Sequence, residues 1–528
     1  MVAYRGGSDR AFAMIITSPY PELDIPNVSL PDLILQRAAM FGDDPALIDS
    51  DTDAILTYAD LAQNIRQVAL GLHQLGVVPG DVLCIFSPNT LTYPILYYAI
   101  LAVGGIVVAS NPRYTAKELR HQLEDARVRF LFADPEVLSV AQTAAEDTTL
   151  QQIFAIETIT DLPFLPDRDF DQSMLPSIDV DAAEDVAVIA YSSGTTGLPK
   201  GVMLTHQNLI ATILQREVVV KHGRQGVLAG FLPFYHIYGM AIVLNKSLYE
   251  GCRIIVIRRY RLERFLALIE RYRITYAHLV PPVVVAMTKS PLLDQYDLSS
   301  MWSASTGGAP LGPDIQARFT ERTGCAIRQG FGMTETTGTG ITSSAKQPVR
   351  LGSIGQPVPN SECMIVDPVT EQPVLKGERG ELWLRGPHIM KAYLNRPDAT
   401  ARALVHGHWL RTGDIVTVDE DGYFYVVDRL KELIKYNGFQ VPPAELEALL
   451  LTHPKVEDAA VIGIPDEDVG ELPKAFVVCK DQEEVSAERL IDFVASQVAP
   501  HKKIRLLTFV DSIPKSPSGK ILRRMLRG

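Results

Sequence analysis

At 528 residues the chain exceeds the roughly 250–300 residues at which one hydrophobic core stops growing, so at least two domains are expected. A hydrophobic fraction of 47% with 21% charged residues excludes an intrinsically disordered protein. A formal charge of −12 excludes a general nucleic-acid binder, which needs a strongly basic face, and leaves any anionic ligand to local cations rather than the overall field.

The chain starts MVAYRGGSDR, without the continuous apolar core of a secretory signal, and Met14 offers an alternative start that leaves the first residues as a disordered extension. Helical periodicity covers 58–75, followed by a strand-like run at 82–86. The most apolar stretch, 95–109, is almost long enough to suggest a membrane span, but Gly104 and Gly105 divide it into a buried helix and a strand at 106–109. A helix at 116–126 and strand-like runs at 130–132, 186–190, 253–257 and 276–280 continue the alternation, which predicts α/β layers with largely parallel sheets. After Gly355, short strands at 381–385 and 423–427 predict a small antiparallel or β-barrel-like subdomain. Beyond Asp428, Pro442 and Pro443 open a helix carrying Leu446, Leu449 and Leu450, followed by a strand pair at 459–464 and 475–479 and a helix at 487–498. The expectation is a large N-terminal domain of layered sheets and helices, 1–428, and a small mobile α+β domain, 429–528. Five scattered cysteines without a CxxC or a nearby histidine cluster suggest neither zinc nor disulfides and fit a reducing cytoplasm. The final MLRG carries no peroxisomal or prenylation signal.

The most informative segment is YSSGTTGLPKGV at 191–202, where an apolar run feeds a loop crowded with hydroxyls, glycines and one lysine. Such a loop cradles phosphate oxygens. It is not a GTPase-type P-loop: Pro199 stands where that motif needs glycine, and Lys200 is followed by Gly201 instead of Ser or Thr.

The segment resembles the phosphate-binding loop of the adenylate-forming superfamily, which contains acyl-CoA synthetases, adenylation domains of peptide synthetases and beetle luciferases. Further blocks follow in that family's order: QGFGMTE (329–335), WLRTGD (409–414), DRLKELIKYNGFQ (428–440) and PKSPSGKIL (514–522). The resemblance runs from about Ser18 to the C-terminus and is closest to the 4-coumarate:CoA ligase and luciferase-like branch. It implies an AMP-forming carboxylic acid:CoA ligase, using ATP, Mg²⁺ and CoA on an aryl-propenoic or medium-chain fatty acid.

The resemblance also implies roles. Ser192, Ser193, Gly194, Thr195, Thr196, Gly197 and Lys200 wrap the phosphates; Thr334 bonds the α-phosphate and Glu335 holds Mg²⁺. Gly308, Ala309 and Pro310, with Gln329, Gly330, Phe331, Gly332 and Met333, approach the adenine. Most members carry tyrosine where Phe331 stands, so stacking survives without the hydroxyl. Asp414 and Arg429 hold the ribose. His236 gates an acid pocket lined by Tyr235, Ile237, Gly239, Thr306 and Gly307, expected to be largely apolar. Lys520 bridges carboxylate and α-phosphate, and the small domain then turns about Lys431 to present Lys435, Gly438 and Gln440 to CoA. Asn437 departs from the lysine common in coumarate ligases, removing one cation from the CoA path. Loading a carrier-protein phosphopantetheine would use the same chemistry, but no carrier domain is present. A non-catalytic nucleotide binder would be expected to lack Lys520, Glu335 or Asp414.

Overall fold

The computed structural model describes residues 15–156, 170, 174–192, 199–437, 439–466, 469–480, 485–516 and 519–527. The chain is mixed α/β, with four sheets among these residues. A seven-stranded sheet runs in the order Ala392–Tyr393, Lys200–Thr205, Val186–Ser192, Ile106–Ser110, Val82–Phe86, Phe130–Ala133, Gln152–Ala155. Its last five strands are parallel, as the alternation predicted, and its first two pair antiparallel at the edge. A nine-stranded sheet runs from Gln356–Pro357 through Ile341–Thr342, Ala326–Phe331, Ser303–Thr306, Tyr276–Leu279, Val227–Gly230, Arg253–Val256 and Pro45–Asp49 to Ile55–Thr57. Its six central strands are parallel.

The apolar stretch 95–109 divides as expected, into the buried helix Thr92–Ala102 and the strand Ile106–Ser110. A Cβ on Gly105 would sit 2.9 Å from the Ile100 carbonyl oxygen, so only glycine lets the strand leave the helix so closely. No helix among the described residues is long and apolar enough to cross a membrane.

The module expected after Gly355 is a six-stranded antiparallel sheet built on Gly380–Arg385 and Trp409–Val418, with Phe424–Arg429 as a branch, and its path among the described residues is open rather than closed into a barrel. The fourth sheet, five-stranded, uses only residues 434–509 and packs its own core, with Leu446, Leu450, Val461, Val477, Leu490 and Val494 buried. Its helix Pro443–Thr452 starts with proline at the first helical position, where a missing N–H costs nothing. The first thirteen residues, expected as a terminal extension, lie outside the described residues.

Parallel sheets collect functional loops at the carboxyl ends of their strands. Here Val186–Ser192 leads into 193–198, Ser303–Thr306 into Gly307–Pro310, and Ala326–Phe331 into the turn Thr334–Thr336. His236 sits in a tight turn, its N–H donating to the Pro233 carbonyl at 3.0 Å, just before the π-helical run Tyr238–Asn245. A Cβ on Gly239 would lie 2.0 Å from that same Pro233 oxygen. Smallness at Gly239 is therefore demanded by the turn that aims His236. Gly239→Ala should lower stability by about 1–3 kcal/mol, the usual cost of overpacking, read as a drop in thermal midpoint; an unchanged midpoint would contradict this packing.

Candidate active site

The five-stranded unit meets the segments that connect strands of the nine-stranded sheet at three contacts. Lys289 Nζ donates to the Val456 carbonyl at 2.6 Å. A Cβ on Gly312 would stand 3.2 Å from Ala448 Cβ, and one on Gly519 2.9 Å from Pro282 Cδ. Between these contacts lies a cavity of about 860 Å³. Gly308, Ala309 and Pro310 form one wall; Gln329, Gly330, Phe331 and Gly332 form another; Asp414 and Arg429 line a third side, and Lys520 enters from the small unit. Thus ten of the residues singled out, from five separate sequence segments, border one space.

Asp414 lies on Trp409–Val418, directly paired with Arg429 on the neighbouring strand. Arg429 Nε stands 3.3 Å from Asp414 Oδ1, whereas Oδ2 is buried and has no hydrogen-bond partner among the described residues. Burial raises the Asp414 pKa, and the Arg429 and Lys520 charges oppose that rise. A buried carboxylate oxygen without a donor is costly unless a ligand supplies one.

Lys520 follows Gly519, which takes the left-handed conformation that only glycine adopts freely and passes against Pro282. Burial, then the neighbouring Arg429 cation, brings the Lys520 amine down to about 8; Glu432, Asp414 and Glu335 pull the other way. Lys520 is therefore a dehydrated cation in a field of both signs.

Glu335 is 5% exposed and begins a short 3-10 turn with Thr334. Its Oε1 accepts from Ser192 Oγ at 3.1 Å and from Tyr393 OH at 2.8 Å. Burial and the Glu335 charge push the Tyr393 hydroxyl pKa far up, so it stays a donor. Lys200 Nζ rests 4.0 Å above the Tyr393 ring, its pKa lowered by burial. Tyr393 was not legible beforehand, because KAYLN carries no glycine or hydroxyl cluster; only its pairing of Tyr393 with Val202 brings it to Glu335. Ser193, Gly194, Thr195, Thr196 and Gly197, and Gly438, lie outside the described residues.

Gln329 borders the cavity, but its amide both donates to the Leu311 carbonyl and accepts from the Leu311 N–H, clamping the Gly308–Leu311 loop. Met333 makes the turn, its N–H donating to Thr336 Oγ1 at 2.9 Å. Of the expected acid-pocket residues, a Cβ on Gly307 would stand 3.5 Å from both the Gly330 carbonyl and the Tyr238 ring, and one on Gly338 3.3 Å from the Ile237 carbonyl, whereas Tyr235, His236 and Thr306 do not border the cavity. His236 Nδ1 accepts from the Tyr238 N–H at 3.2 Å, which places the ring proton on Nε2, and burial pulls the imidazole pKa down to about 4. Lys435 and Gln440 are not brought into the cavity: they pair across the hairpin Ile434–Tyr436/Phe439–Val441 and are exposed. Asn437 occupies the left-handed turn position of that hairpin, φ 49°, a conformation asparagine tolerates better than lysine. Lys431 is exposed, within the turn after Arg429.

The family model described as AMP-binding enzyme matches residues 34–394, and that of the AMP-binding enzyme C-terminal domain matches 445–520. The chain belongs to the AMP-binding enzyme family. It is 39% identical to 4-coumarate-CoA ligase 1 of Narcissus pseudonarcissus, over 97% of this chain and 96% of that one. Among solved structures it is similar to the anthranilate CoA ligase AuaEII in complex with anthranoyl-AMP, with a TM-score of 0.88 at 26% identity over 96% of this chain and 97% of that one. It is also similar to ATP-bound MatB of Rhodopseudomonas palustris, with a TM-score of 0.86 at 27% identity over 95% and 98%.

NMR of the Lys520 side chain should give a titration midpoint about 8, and Arg429→Gln should move it upward by removing a neighbouring cation and freeing Asp414. A midpoint at the ordinary lysine value, about 10.4, would contradict the described environment.

Proposed function

We propose that this protein is an AMP-forming carboxylic acid:CoA ligase acting on an aryl-propenoic or medium-chain fatty acid in the cytoplasm, where its five free cysteines would stay reduced. The observation that carries the reading is the meeting of Lys520, from the small unit, with the donor-starved Asp414 in one cavity.

In the first half-reaction the acid's carboxylate attacks the α-phosphorus of ATP and pyrophosphate leaves. Both reactants are anions, so the need is positioning and positive charge. Asp414 Oδ2 takes the ribose hydroxyls, with Arg429 fixing its other oxygen; Phe331 and the 308–310 backbone take the adenine. Lys200, with Ser192 to Gly197, faces the β- and γ-phosphates and Thr334 the α-phosphate. His236, neutral with its proton on Nε2, donates to the acid's carboxylate. Lys520 spans carboxylate and phosphate as charge builds. Glu335 suits a Mg²⁺ ion, which would be held mainly by phosphates and water with one or two carboxylates: both its protein donors fall on Oε1. Such an ion would neutralise the departing pyrophosphate.

In the second half-reaction the domain 429–528 turns about Lys431 relative to 1–428. Lys520 leaves, and Lys435, Gly438 and Gln440 face the acyl-adenylate, whose carbonyl the CoA thiol attacks with AMP leaving. Lys435 and Gln440 are exposed while Lys520 borders the cavity, which supports the view that the two sets act in turn.

Lys520→Ala should slow acid-dependent ATP/pyrophosphate exchange by about 10²–10³ while sparing thioester formation from supplied acyl-adenylate. Lys435→Ala with Gln440→Ala should do the opposite. Equal loss of both steps in either variant would defeat the assignment.

The cation is the active form of Lys520, so kcat/KM for exchange should fall as pH rises through about 8. Lys520→Arg should carry the falling limb beyond the assay range, since guanidinium stays charged. His236, neutral above about 4, adds no limb near pH 6. A wild-type profile flat to pH 10 would contradict this.

A further inference from the structure

The carboxylate assigned to a metal ion and the lysine assigned to phosphate share one neighbour. Tyr393 OH donates to Glu335 Oε1 at 2.8 Å, and Lys200 Nζ lies 4.0 Å from the centre of the same ring. An aromatic ring is negative on its face, and a phenol carries a positive hydrogen at its edge, so one tyrosine can hold a cation and an anion at once. Lys200 and Glu335 lie in each other's field, yet no ion pair joins them among the described residues: burial lowers the Lys200 pKa, and the Glu335 charge opposes that fall without reversing it.

Tyr393 is held in place by bonds that involve neither charge. It belongs to the two-residue strand Ala392–Tyr393, which pairs antiparallel with the strand Lys200–Thr205, Tyr393 opposite Val202 and Ala392 opposite Met203. Lys391 N–H donates to the Met203 carbonyl at 3.0 Å, and Leu394 N–H to the Gly201 carbonyl at 2.8 Å. A Cβ on Gly201 would stand 3.2 Å from Leu394 Cβ, so the two strands cross closely beside Lys200. Tyr393 N–H donates to Thr400 Oγ1 at 3.0 Å, which ties it to the helix Pro397–Ala403. In the same segment Met390 N–H donates to the Glu335 carbonyl at 2.9 Å. Residues 390–394 therefore grip the backbone of Glu335 and that of the lysine's strand, and Tyr393 is only 6% exposed. Its hydroxyl and ring are left to the two charges.

A flexible lysine near a buried carboxylate gains energy by closing on it. Once closed, such a pair would cancel, with no charge left on Glu335 for a cation or on Lys200 for phosphate. We infer that Tyr393 is a positioning residue that keeps Glu335 and Lys200 apart, its hydroxyl holding the carboxylate for a divalent cation and its ring holding the ammonium for phosphate. This rests on the ligase reading above, with Mg²⁺ at Glu335, and explains how a site built for a metal and a phosphate avoids neutralising itself before either binds.

The test is equilibrium binding of ATP to the intact protein by calorimetry, in EDTA and in excess Mg²⁺. Wild type should bind ATP in EDTA and bind it more tightly with Mg²⁺. Tyr393→Phe keeps the ring and loses the hydroxyl: affinity in EDTA should stay within about twofold, while the gain from Mg²⁺ shrinks about tenfold or disappears, as expected for one lost hydrogen bond to a charged group. Mn²⁺ binding in the presence of ATP, read by electron paramagnetic resonance, should weaken alongside. Tyr393→Leu removes both holds, so affinity in EDTA should also fall, by about tenfold. That second loss should largely vanish in a Glu335→Gln background, where the released ammonium has no carboxylate to close on, a non-additivity that a merely structural role would not produce. Tyr393→Phe removes one oxygen only, so it serves if the leucine variant does not fold. Tyr393→Phe matching wild type in both media, or Tyr393→Leu losing the same affinity with and without Glu335, would overturn the inference and leave the ligase reading standing. A wild-type affinity indifferent to Mg²⁺ would overturn the assignment of Glu335, and absence of any ATP binding the ligase reading itself, and this inference with either.

Discussion

Two anions must meet for a carboxylate to be joined to a nucleotide, and the proposed reaction turns on one dehydrated ammonium, that of Lys520, held at the cavity. Burial and Arg429 disfavour its charge, while Asp414, Glu335 and Glu432 sustain it. Those opposing groups come from separate parts of the chain: the antiparallel sheet supplies Asp414, the end of the nine-stranded sheet supplies Glu335, and the small unit supplies Glu432. The balance exists only while the small unit is docked. Docking in turn relies on close approach at Gly312 and Gly519 and on the bond from Lys289 to Val456. Burial lowers the Lys289 amine to about 8, so this contact too is a buried cation meeting a backbone dipole.

Within the small unit, the segment that carries Lys520 is pinned by charge. Arg523 bridges Glu447, at 3.0 Å, and Glu432, at 3.2 Å, tying the C-terminal segment both to the helix Pro443–Thr452 and to the turn after Arg429. At the joint, Asp428 accepts from the backbone N–H groups of Arg429 and Ala444, at 2.7 and 2.9 Å. Burial nevertheless raises its pKa to about 7. The segment proposed to turn thus lies directly after a firmly hydrogen-bonded residue, which confines a backbone rotation to a short stretch.

Much of this was legible in the sequence where the signal is local. The strand Val82–Phe86 follows from an apolar run of the right length, and the break at Gly104–Gly105 from two glycines inside an otherwise continuous hydrophobic stretch. Asp414, Arg429 and Lys520 sit in short motifs, and the fold brings them to one cavity. What was illegible is assembled by packing. Arg216, His278 and Ser305 come from a helix and two strands, each surrounded by residues that read as ordinary core, and only packing buries these polar groups near one another. Tyr393 reaches Glu335 only through an edge strand of two residues. Gln329 shows the converse: its motif pointed to a ligand, while its amide is committed to the Leu311 backbone.

The central claim is that the docked arrangement serves adenylation alone and must open for thioester formation. Gly312→Cys with Ala448→Cys tests it most directly, because the two Cβ positions are 3.2 Å apart when docked, a few tenths of an ångström inside the usual span of a disulfide, about 3.5–4.5 Å. The oxidised double variant should retain acid-dependent ATP/pyrophosphate exchange and lose thioester formation, which reductant restores. Thioester formation at the same rate in the oxidised and reduced forms would contradict the account.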